Sequence, residues 1–205
     1  MIAIVDYGMG NLLSVCNALL SLGADARVTS DPAEVAAAER VVLPGVGAFP
    51  DCMRNLRERG LIEALNEAAL RRGKPTLGVC LGMQAMARRS FEVRETPGLG
   101  WFDADVVRLT PADPALRIPQ IGWNSVRFRP DNPLFAGVPP GADFYFVHSF
   151  YMKCEAEEDV DATCDYGGPV TAAVRKRNIF ATQFHPEKSQ DYGLRVLETF
   201  LRWNP

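Results

Sequence analysis

The sequence predicts an α/β fold: an open, mostly parallel central sheet flanked by helices, with an antiparallel β extension. Over residues 1–90, short runs rich in β-branched residues alternate with segments of helical periodicity, which is typical of parallel βαβ units. After residue 100 the apolar runs are short and rich in valine and aromatic residues, with Pro, Gly and Asp between them, which favours antiparallel hairpins. The 205 residues contain no repeat and no long linker, so we expect a single domain over residues 1–205.

The N-terminal half accounts for the parallel part of the sheet. Residues 2–5 form a continuous apolar run, as expected of a strand covered on both faces. Further strands are predicted at 27–29, 41–43 and 76–79, and helices at 11–22, from 32 onward and at 51–72. Gly23 is expected to end the first helix, Asp31 to cap the second, and Gly60 to divide the third.

The C-terminal half accounts for the antiparallel part. Its predicted strands lie at 104–109, 125–129, 143–147, 150–154, 170–175 and 179–184. Residues 193–203 carry leucine, valine and phenylalanine on one helical stripe, which predicts a closing helix that docks on the sheet.

Composition excludes several classes of function. The net charge of −3 gives no field that would hold nucleic acid, and no run of apolar residues is long enough to span a membrane. The first residues lack the basic segment of a secretory signal, so we expect a cytoplasmic protein. Five cysteines without a C-x-x-C pair and only two histidines argue against a disulfide framework and a zinc site. We therefore expect no metal and no cofactor.

Cys80 is the strongest candidate for a nucleophile. Glycines stand two residues before and two residues after it, in Gly78-Val79-Cys80-Leu81-Gly82, and this spacing allows a tight turn from a strand into a helix. Such a turn would hold the thiol in a strained, exposed position near the positive end of the helix, which favours the thiolate. The N–H of Leu81 would donate to an oxyanion. A buried structural cysteine is the alternative interpretation of this segment.

His185 and Glu187 are the candidates for a base and its orienting carboxylate. They are two residues apart in Gln183-Phe184-His185-Pro186-Glu187, so in an extended segment both side chains point to the same side. A carboxylate there can fix the imidazole tautomer while the other ring nitrogen faces a nucleophile. A surface cap at a helix start is the alternative for this pair alone. A cysteine nucleophile needs a base, however, and the only histidines are His148 and His185.

Residues 43–47, Leu-Pro-Gly-Val-Gly, follow the third predicted strand. Sites in open parallel sheets form beyond the carboxyl ends of the strands, so this loop would lie next to Cys80 and offer a second oxyanion donor. An ordinary βα turn is the alternative. The N-terminal segment 6–11 contains only a lone G-x-G, because Leu13 stands where a dinucleotide loop has its third glycine.

Together these segments resemble the class I (triad) glutamine amidotransferases, in which a Cys-His-Glu triad hydrolyses the side-chain amide of glutamine. Within that family the chain is most similar to one branch, the glutaminase subunits of imidazole glycerol phosphate synthase in histidine biosynthesis. The matching segments lie in the expected order between residues 6 and 189: DYGMGN, LPGVGAF, GVCLGMQ, QIGWN, YFVHS and QFHPEKS.

The resemblance implies a role for each matching residue. Cys80 would be the nucleophile, His185 the general base and acid, and Glu187 the orienting carboxylate. The residues whose backbone would form the oxyanion hole are Val46, Gly47 and Leu81. Those implied to bind glutamine are Gln84, Glu92, His148, Ser149 and Phe150. Those implied to face a partner are Asn11, Gln120, Gly122, Trp123, Asn124, Tyr145 and Lys188. The segment 88–91, expected to continue the helix after Cys80, departs from the family, which often carries acidic residues there.

The resemblance also implies a mechanism and a partner. Attack by the Cys80 thiolate would form a glutamyl thioester and release ammonia to a (β/α)8-barrel cyclase subunit, which forms imidazole glycerol phosphate and AICAR. The chain contains no phosphate loop or nucleotide fingerprint of its own, so the acceptor site belongs to a second chain. The glycines on either side of Val46 suggest that this loop flips a peptide to complete the oxyanion hole only when the partner is loaded.

Other functions remain open from sequence alone. One is another amidotransferase of the same family, such as the glutaminase of pyridoxal phosphate synthase or an anthranilate-type subunit, which the DYGMGN and QIGWN segments disfavour. A second is a non-catalytic scaffold or a thiol redox sensor. A hydrolase of the G-x-S-x-G type is disfavoured, because its acid normally precedes the histidine in the chain, whereas Glu187 follows His185.

Overall fold

The computed structural model describes residues 1–205. Its strands are β1 (Ile2–Val5), β2 (Ala26–Thr29), β3 (Arg40–Gly45), β4 (Thr76–Cys80), β5 (Ala87–Ser90), β6 (Thr96–Pro97), β7 (Phe102–Arg108), β8 (Gln120–Phe128), β9 (Asp143–His148), β10 (Phe150–Cys154), β11 (Val160–Asp165), β12 (Pro169–Lys176) and β13 (Ile179–Thr182). Its helices are α1 (Leu12–Ser21), α2 (Pro32–Ala37), α3 (Phe49–Glu58), α4 (Leu61–Asn66), α5 (Leu81–Ala85) and α6 (Gln190–Arg202).

One nine-stranded sheet organises the molecule, in the order β2-β1-β3-β4-β13-β12-β11-β8-β9. The strands from β2 to β13 in this order are parallel, and those from β13 to β9 are antiparallel. The predicted fold class is therefore confirmed. A second sheet, β10-β7-β5-β6, is mixed, because β5 and β7 pair in parallel while the other two pairs are antiparallel.

Both faces of the parallel strands are covered, as the continuous apolar run at the N-terminus predicts. Alternate residues of β1 enter different cores: Ala3 and Val5 belong to a cluster of 29 buried residues, and Ile2 and Ile4 to a cluster of 27. Apolar residues of α3 and α4 pack into the first core, and those of α1 and α6 into the second. The sheet is thus held between two layers.

The predicted helix ends are confirmed in atomic detail. Gly23 has φ +77°, and its N–H bonds to Leu20 while that of Ala24 bonds to Leu19, which is a Schellman end. The Asp31 side chain accepts a hydrogen bond of 2.8 Å from the N–H of Ala33 at the start of α2. Gly60, at φ +68°, divides α3 from α4.

Three expectations about elements were wrong. β3 continues through Pro44 to Gly45, because both residues pair with β4. The segment 88–91 does not continue a helix: α5 ends at Ala85, and β5 begins at Ala87. Strands β6 and β11 were not predicted; β11 forms a hairpin with β12 and pairs along its other edge with β8, which is distant in sequence. No helix combines the length and the apolar character that a membrane crossing requires.

Candidate active site

Cys80 ends β4 and immediately precedes α5. Its backbone has φ +54° and ψ −110°, which is strained for a residue with a side chain, as the sequence predicts. The prediction that the thiol would be exposed is wrong, since Cys80 is only 6% exposed. Its direct partner on β3 is Gly45, which brings the Pro-Gly-Val-Gly loop beside the sulfur as expected.

The glycine after the nucleophile is required by packing. A Cβ at Gly82 would lie 1.8 Å from the carbonyl oxygen of Leu43, which is far inside contact distance. Only glycine therefore lets α5 start directly against β3. The close approach places Leu81, the first residue of α5, beside the loop that follows β3.

His185 lies beside Cys80 at the end of the neighbouring strand, although the two are far apart in sequence. The ring is 1% exposed, and its Nδ1 lies 2.8 Å from Oε1 of the buried Glu187 side chain. Residues 186–188 form a 3-10 turn, so the expected extended geometry is wrong at Glu187, but the turn still brings the carboxylate onto the ring. The N–H of His185 is anchored on the carbonyl of Tyr145 at 3.0 Å.

The electrostatics of the three side chains favour a protonated imidazole. Burial of the His185 ring disfavours charge, but hydrogen bonding with Cys80 and Glu187 and their negative charges outweigh burial and raise the pKa of His185 well above its ordinary value. The ring's Nε2 has no aligned hydrogen-bond partner, and neither does Oε2 of Glu187. Catalytic hydrogen bonds of this kind often become aligned only when substrate binds.

A cavity of about 280 Å³ opens onto Cys80. Its lining includes the residues implied for the oxyanion hole and for glutamine binding: Val46, Gly47, Leu81, Gln84, Glu92, His148, Ser149 and Phe150. Gly47 has φ +107°, and Val46 is 39% exposed at the mouth. The structure thus brings these residues together around the thiol.

Gln84 and Glu92 both make contacts within the protein. The side-chain nitrogen of Gln84 donates to the carbonyl of Phe150 at 2.8 Å and to Oε1 of Gln183 at 3.0 Å. Both of its N–H bonds are therefore used, and only its oxygen is free to accept from a ligand. Glu92 accepts from the N–H of Phe49 at 2.8 Å, which ties the start of α3 to the cavity wall.

His148 lines the cavity and is neutral. Burial lowers its pKa to about 4. Its Nδ1 lies 2.8 Å from the carbonyl of Phe150, which can only accept, so Nδ1 carries the proton. Its Nε2 lies 3.1 Å from Oε1 of the Gln120 side chain. Both ring nitrogens of His148 are thus engaged by groups other than Cys80.

Comparison with known proteins agrees with this geometry. The glutamine amidotransferase class-I family matches residues 3–203. The imidazole glycerol phosphate synthase subunit HisH of Mesorhizobium japonicum is 47% identical to this chain, and that of Rhizobium meliloti is 48% identical. Each alignment covers 100% of this chain and 99% of the relative. The chain belongs to the class I glutamine amidotransferases.

Within the class I glutamine amidotransferases, the full-length likeness to HisH favours that branch over the pyridoxal phosphate and anthranilate alternatives. A solved structure of PurLQS from Thermotoga maritima has the same fold, with a TM-score of 0.74 at 17% identity, covering 98% of this chain and 97% of that one. No group of three or more His, Cys, Asp or Glu side chains is placed to hold a metal ion.

Three of the seven residues implied for an amidotransferase partner face form an aromatic and basic cluster. The ring of Trp123, 49% exposed, lies edge-on to Tyr145, and the Lys188 ammonium lies 5.9 Å from the centre of the Tyr145 ring. A cavity of about 630 Å³ adjoins Trp123 but reaches none of the triad. Asn11, Gly122 and Asn124 are half-buried. Gln120 departs from the expectation, since its side chain is 2% exposed and contacts His148.

Sequence reasoning missed two buried side chains at this amidotransferase site. Gln183 donates from its amide nitrogen to Sγ of Cys80 at 3.6 Å. The signal was its position two residues before His185 at the end of a strand, since i and i+2 side chains share a face. The hydroxyl of Tyr7 is buried without a partner behind Gly45, where an added Cβ would lie 2.2 Å from it.

Proposed function

We propose that this chain is the glutaminase subunit of imidazole glycerol phosphate synthase in histidine biosynthesis, acting in the cytoplasm. It hydrolyses glutamine to glutamate and ammonia through Cys80, His185 and Glu187. The observation that carries the proposal is that these three side chains meet at the carboxyl edge of the parallel strands, beside a cavity of about 280 Å³. Sequence identity of 47% and 48% to two HisH subunits, over the whole of this chain, supports the assignment to this branch.

The first half-reaction forms a glutamyl thioester. The Cys80 thiolate attacks the side-chain carbonyl carbon of glutamine, and the carbonyl π electrons move onto oxygen to give a tetrahedral oxyanion. His185 protonates the amide nitrogen, the C–N bond breaks, and ammonia leaves. The raised pKa of His185 suits it to hold this proton, because Glu187 stabilises the imidazolium.

The second half-reaction hydrolyses the thioester. The now neutral His185 takes a proton from water, and the resulting hydroxide attacks the thioester carbon. The C–S bond then breaks, glutamate leaves, and Cys80 returns as a thiolate beside an imidazolium. The original protonation state of the pair is thereby restored.

Each tetrahedral intermediate requires donors for its oxygen. The N–H groups of Leu81 and of the Val46–Gly47 segment are the donors in our proposal, and losing one such donor typically costs about 3 kcal/mol of barrier. Gly47 has the conformational freedom to let a peptide of this loop rotate. We therefore propose that the loop completes the oxyanion hole only in the assembled enzyme.

The product requires a partner. Ammonia released into neutral water is protonated and is no longer a nucleophile, so it is useful only if it passes directly to an acceptor site. The proposed partner is the (β/α)8-barrel cyclase subunit, in a heterodimer that channels ammonia to the synthesis of imidazole glycerol phosphate and AICAR. The exposed Trp123–Tyr145–Lys188 cluster is the proposed contact surface.

Glutamate release tests the proposal in three mixtures: this chain alone, with the cyclase subunit, and with the cyclase and its nucleotide ligand. We expect very weak turnover alone and a large rise in the complete mixture. Cys80→Ala should abolish turnover in every mixture, whereas Cys16→Ala on α1 should leave it unchanged. Turnover that survives Cys80→Ala would remove the triad mechanism, and high turnover by the chain alone would contradict the switching of the loop.

A further inference from the structure

Gln183 is fully buried and contacts the reacting sulfur. It directly follows β13, and Cys80 ends β4; because Thr182 pairs with Val79, the next residue of each strand lies side by side. The amide nitrogen of Gln183 is 3.6 Å from Sγ, within the range of a hydrogen bond to sulfur. The side chain therefore reaches Cys80 from the strand that also supplies His185.

The hydrogen-bond network determines which end of the Gln183 amide faces the sulfur. The carbonyl of Phe150 can only accept, so the Gln84 side chain must present its nitrogen there. The second N–H of that nitrogen donates to the Gln183 side chain at 3.0 Å, so the Gln183 oxygen must be the acceptor. The Gln183 nitrogen is then left facing Sγ. The orientation follows from acceptor chemistry, since amide ends are otherwise hard to distinguish.

Two neighbours act on the sulfur in opposite ways. The carbonyl oxygen of Val147, 3.9 Å from Sγ, can only accept and thus favours the neutral S–H form. The Gln183 N–H can only donate to the sulfur and favours the thiolate, because a hydrogen bond to the charged form stabilises it. In a site that is almost closed to water, such a fixed donor replaces the solvation that the thiolate has lost.

We propose that Gln183 is a further catalytic residue: its carboxamide N–H donates to Sγ and holds Cys80 as a thiolate, with Gln84 fixing the orientation of the amide. The proposal rests on the function proposed above and deepens it. The same donor acts in both half-reactions. It stabilises the attacking thiolate, and it stabilises the sulfur again when the C–S bond breaks and the bonding pair returns to it.

The test measures thiolate formation directly. The rate of alkylation of Cys80 by iodoacetamide is followed against pH in the full chain, with the Cys80 peptide quantified by mass spectrometry to separate it from the other four cysteines. Gln183→Met keeps the length of the side chain and removes the donor. We expect the midpoint of the alkylation profile to rise by about one pH unit, which is about tenfold in thiolate fraction below the midpoint.

Matched variants secure the interpretation. Gln183→Glu, nearly isosteric, puts a carboxylate beside the sulfur and should raise the midpoint further than Met does, and Gln190→Met at the start of α6 should leave it unchanged. Circular dichroism and thermal unfolding establish that each variant is folded. A midpoint that stays at the wild-type value in either folded Gln183 variant overturns the proposal.

The alkylation experiment and the glutaminase assay can fail independently of each other. Alkylation requires neither glutamine nor a partner. If the Gln183 variants show the expected rise in the alkylation midpoint but the wild-type chain never releases glutamate, only the glutaminase assignment is rejected. Conversely, active glutaminase with an unshifted alkylation profile in the Gln183 variants would reject the role of Gln183 alone.

Discussion

His185 shows how a single residue acquires its chemistry from its neighbours. Burial alone would keep the ring neutral, and a carboxylate in open water would be screened and would favour the charged ring only weakly. Here Glu187 is buried with the ring, at 2.8 Å, and cannot be screened by solvent. The carboxylate therefore orients the ring and also helps the ring to retain its proton.

Replacing Glu187 with Gln should separate these effects. The neutral amide can still contact Nδ1, but without the negative charge the pKa of His185 falls, so the imidazolium is lost at a lower pH. We expect kcat to fall by a factor on the order of 10²–10⁴, and the alkaline limb of kcat/KM to move to lower pH. Steady-state glutaminase assays across pH, with the cyclase present, measure both.

Glu198→Gln is the matched control for that experiment. Glu198, half-buried, pairs with the exposed Arg195 and Arg202 on α6, and surface pairs of this kind contribute at most about 1 kcal/mol to stability. Its kinetics should equal those of the wild type. An alkaline limb that does not move in Glu187→Gln would mean that the carboxylate does not set the protonation of the ring.

At the level of elements, the site depends on how closely α5 approaches β3. The turn at Cys80 is strained, and it persists because the surrounding packing holds it. The contact between Gly82 and the carbonyl of Leu43 leaves no room for a side chain. Packing of these two elements therefore contributes both to stability and to the position of the thiol.

Gly82→Ala tests this packing. The added methyl group would overlap the Leu43 carbonyl, so α5 or β3 must move, and we expect a loss of at least about 3 kcal/mol in the free energy of unfolding. Gly73→Ala is the comparison, because its Cβ would meet nothing within 4 Å and only the φ of +62° is unfavourable; its cost should be about 1 kcal/mol. Urea unfolding measures both, and equal losses would contradict the packing argument.

Elements differ in how far sequence predicts them. β1, β3 and β4 were predicted because each is an apolar run between turn or capping residues, and these signals are local. β5 was missed because Ala-Arg-Arg-Ser has no strand pattern of its own. It is a strand because it pairs with β7, where Arg89 lies opposite Asp105 and binds its carboxylate at 3.0 Å. Such a non-local contact leaves no mark in the segment itself.

At the scale of the whole molecule, the two histidines make the free energy of unfolding depend on pH in opposite ways. His185 has a raised pKa when folded, so its contribution is present below the unfolded value of 6.5 and is lost as pH rises above it. Burial lowers the pKa of His148 to about 4, so the folded chain does not bind the proton that the unfolded chain binds near pH 6.5. Its contribution is therefore lost as pH falls from 6.5 towards 4.

His148→Gln should flatten the acid side of the stability profile. Between pH 7 and pH 5, we expect the wild type to lose about 2 kcal/mol of unfolding free energy through His148. The variant keeps an amide that can donate to the Phe150 carbonyl but has no titrating group. Urea unfolding at the two pH values measures the difference for each protein. The same drop in both would show that His148 does not resist protonation in the folded chain.

The sequence alone is enough to predict the α/β class, the parallel strands, the strained turn at Cys80 and the identity of the candidate triad. Glycine spacing and apolar runs are properties of neighbouring residues, and the scarcity of histidines is a property of the composition. The contact between the sulfur and the imidazole depends on folding, since β4 and β13 become neighbours only when the sheet assembles. The same holds for the burial that keeps His148 neutral, for the buried Glu187 that favours a charged His185, and for the amide of Gln183 at the sulfur. Desolvation and hydrogen-bond direction arise from three-dimensional surroundings, and a linear pattern does not encode them in any one segment.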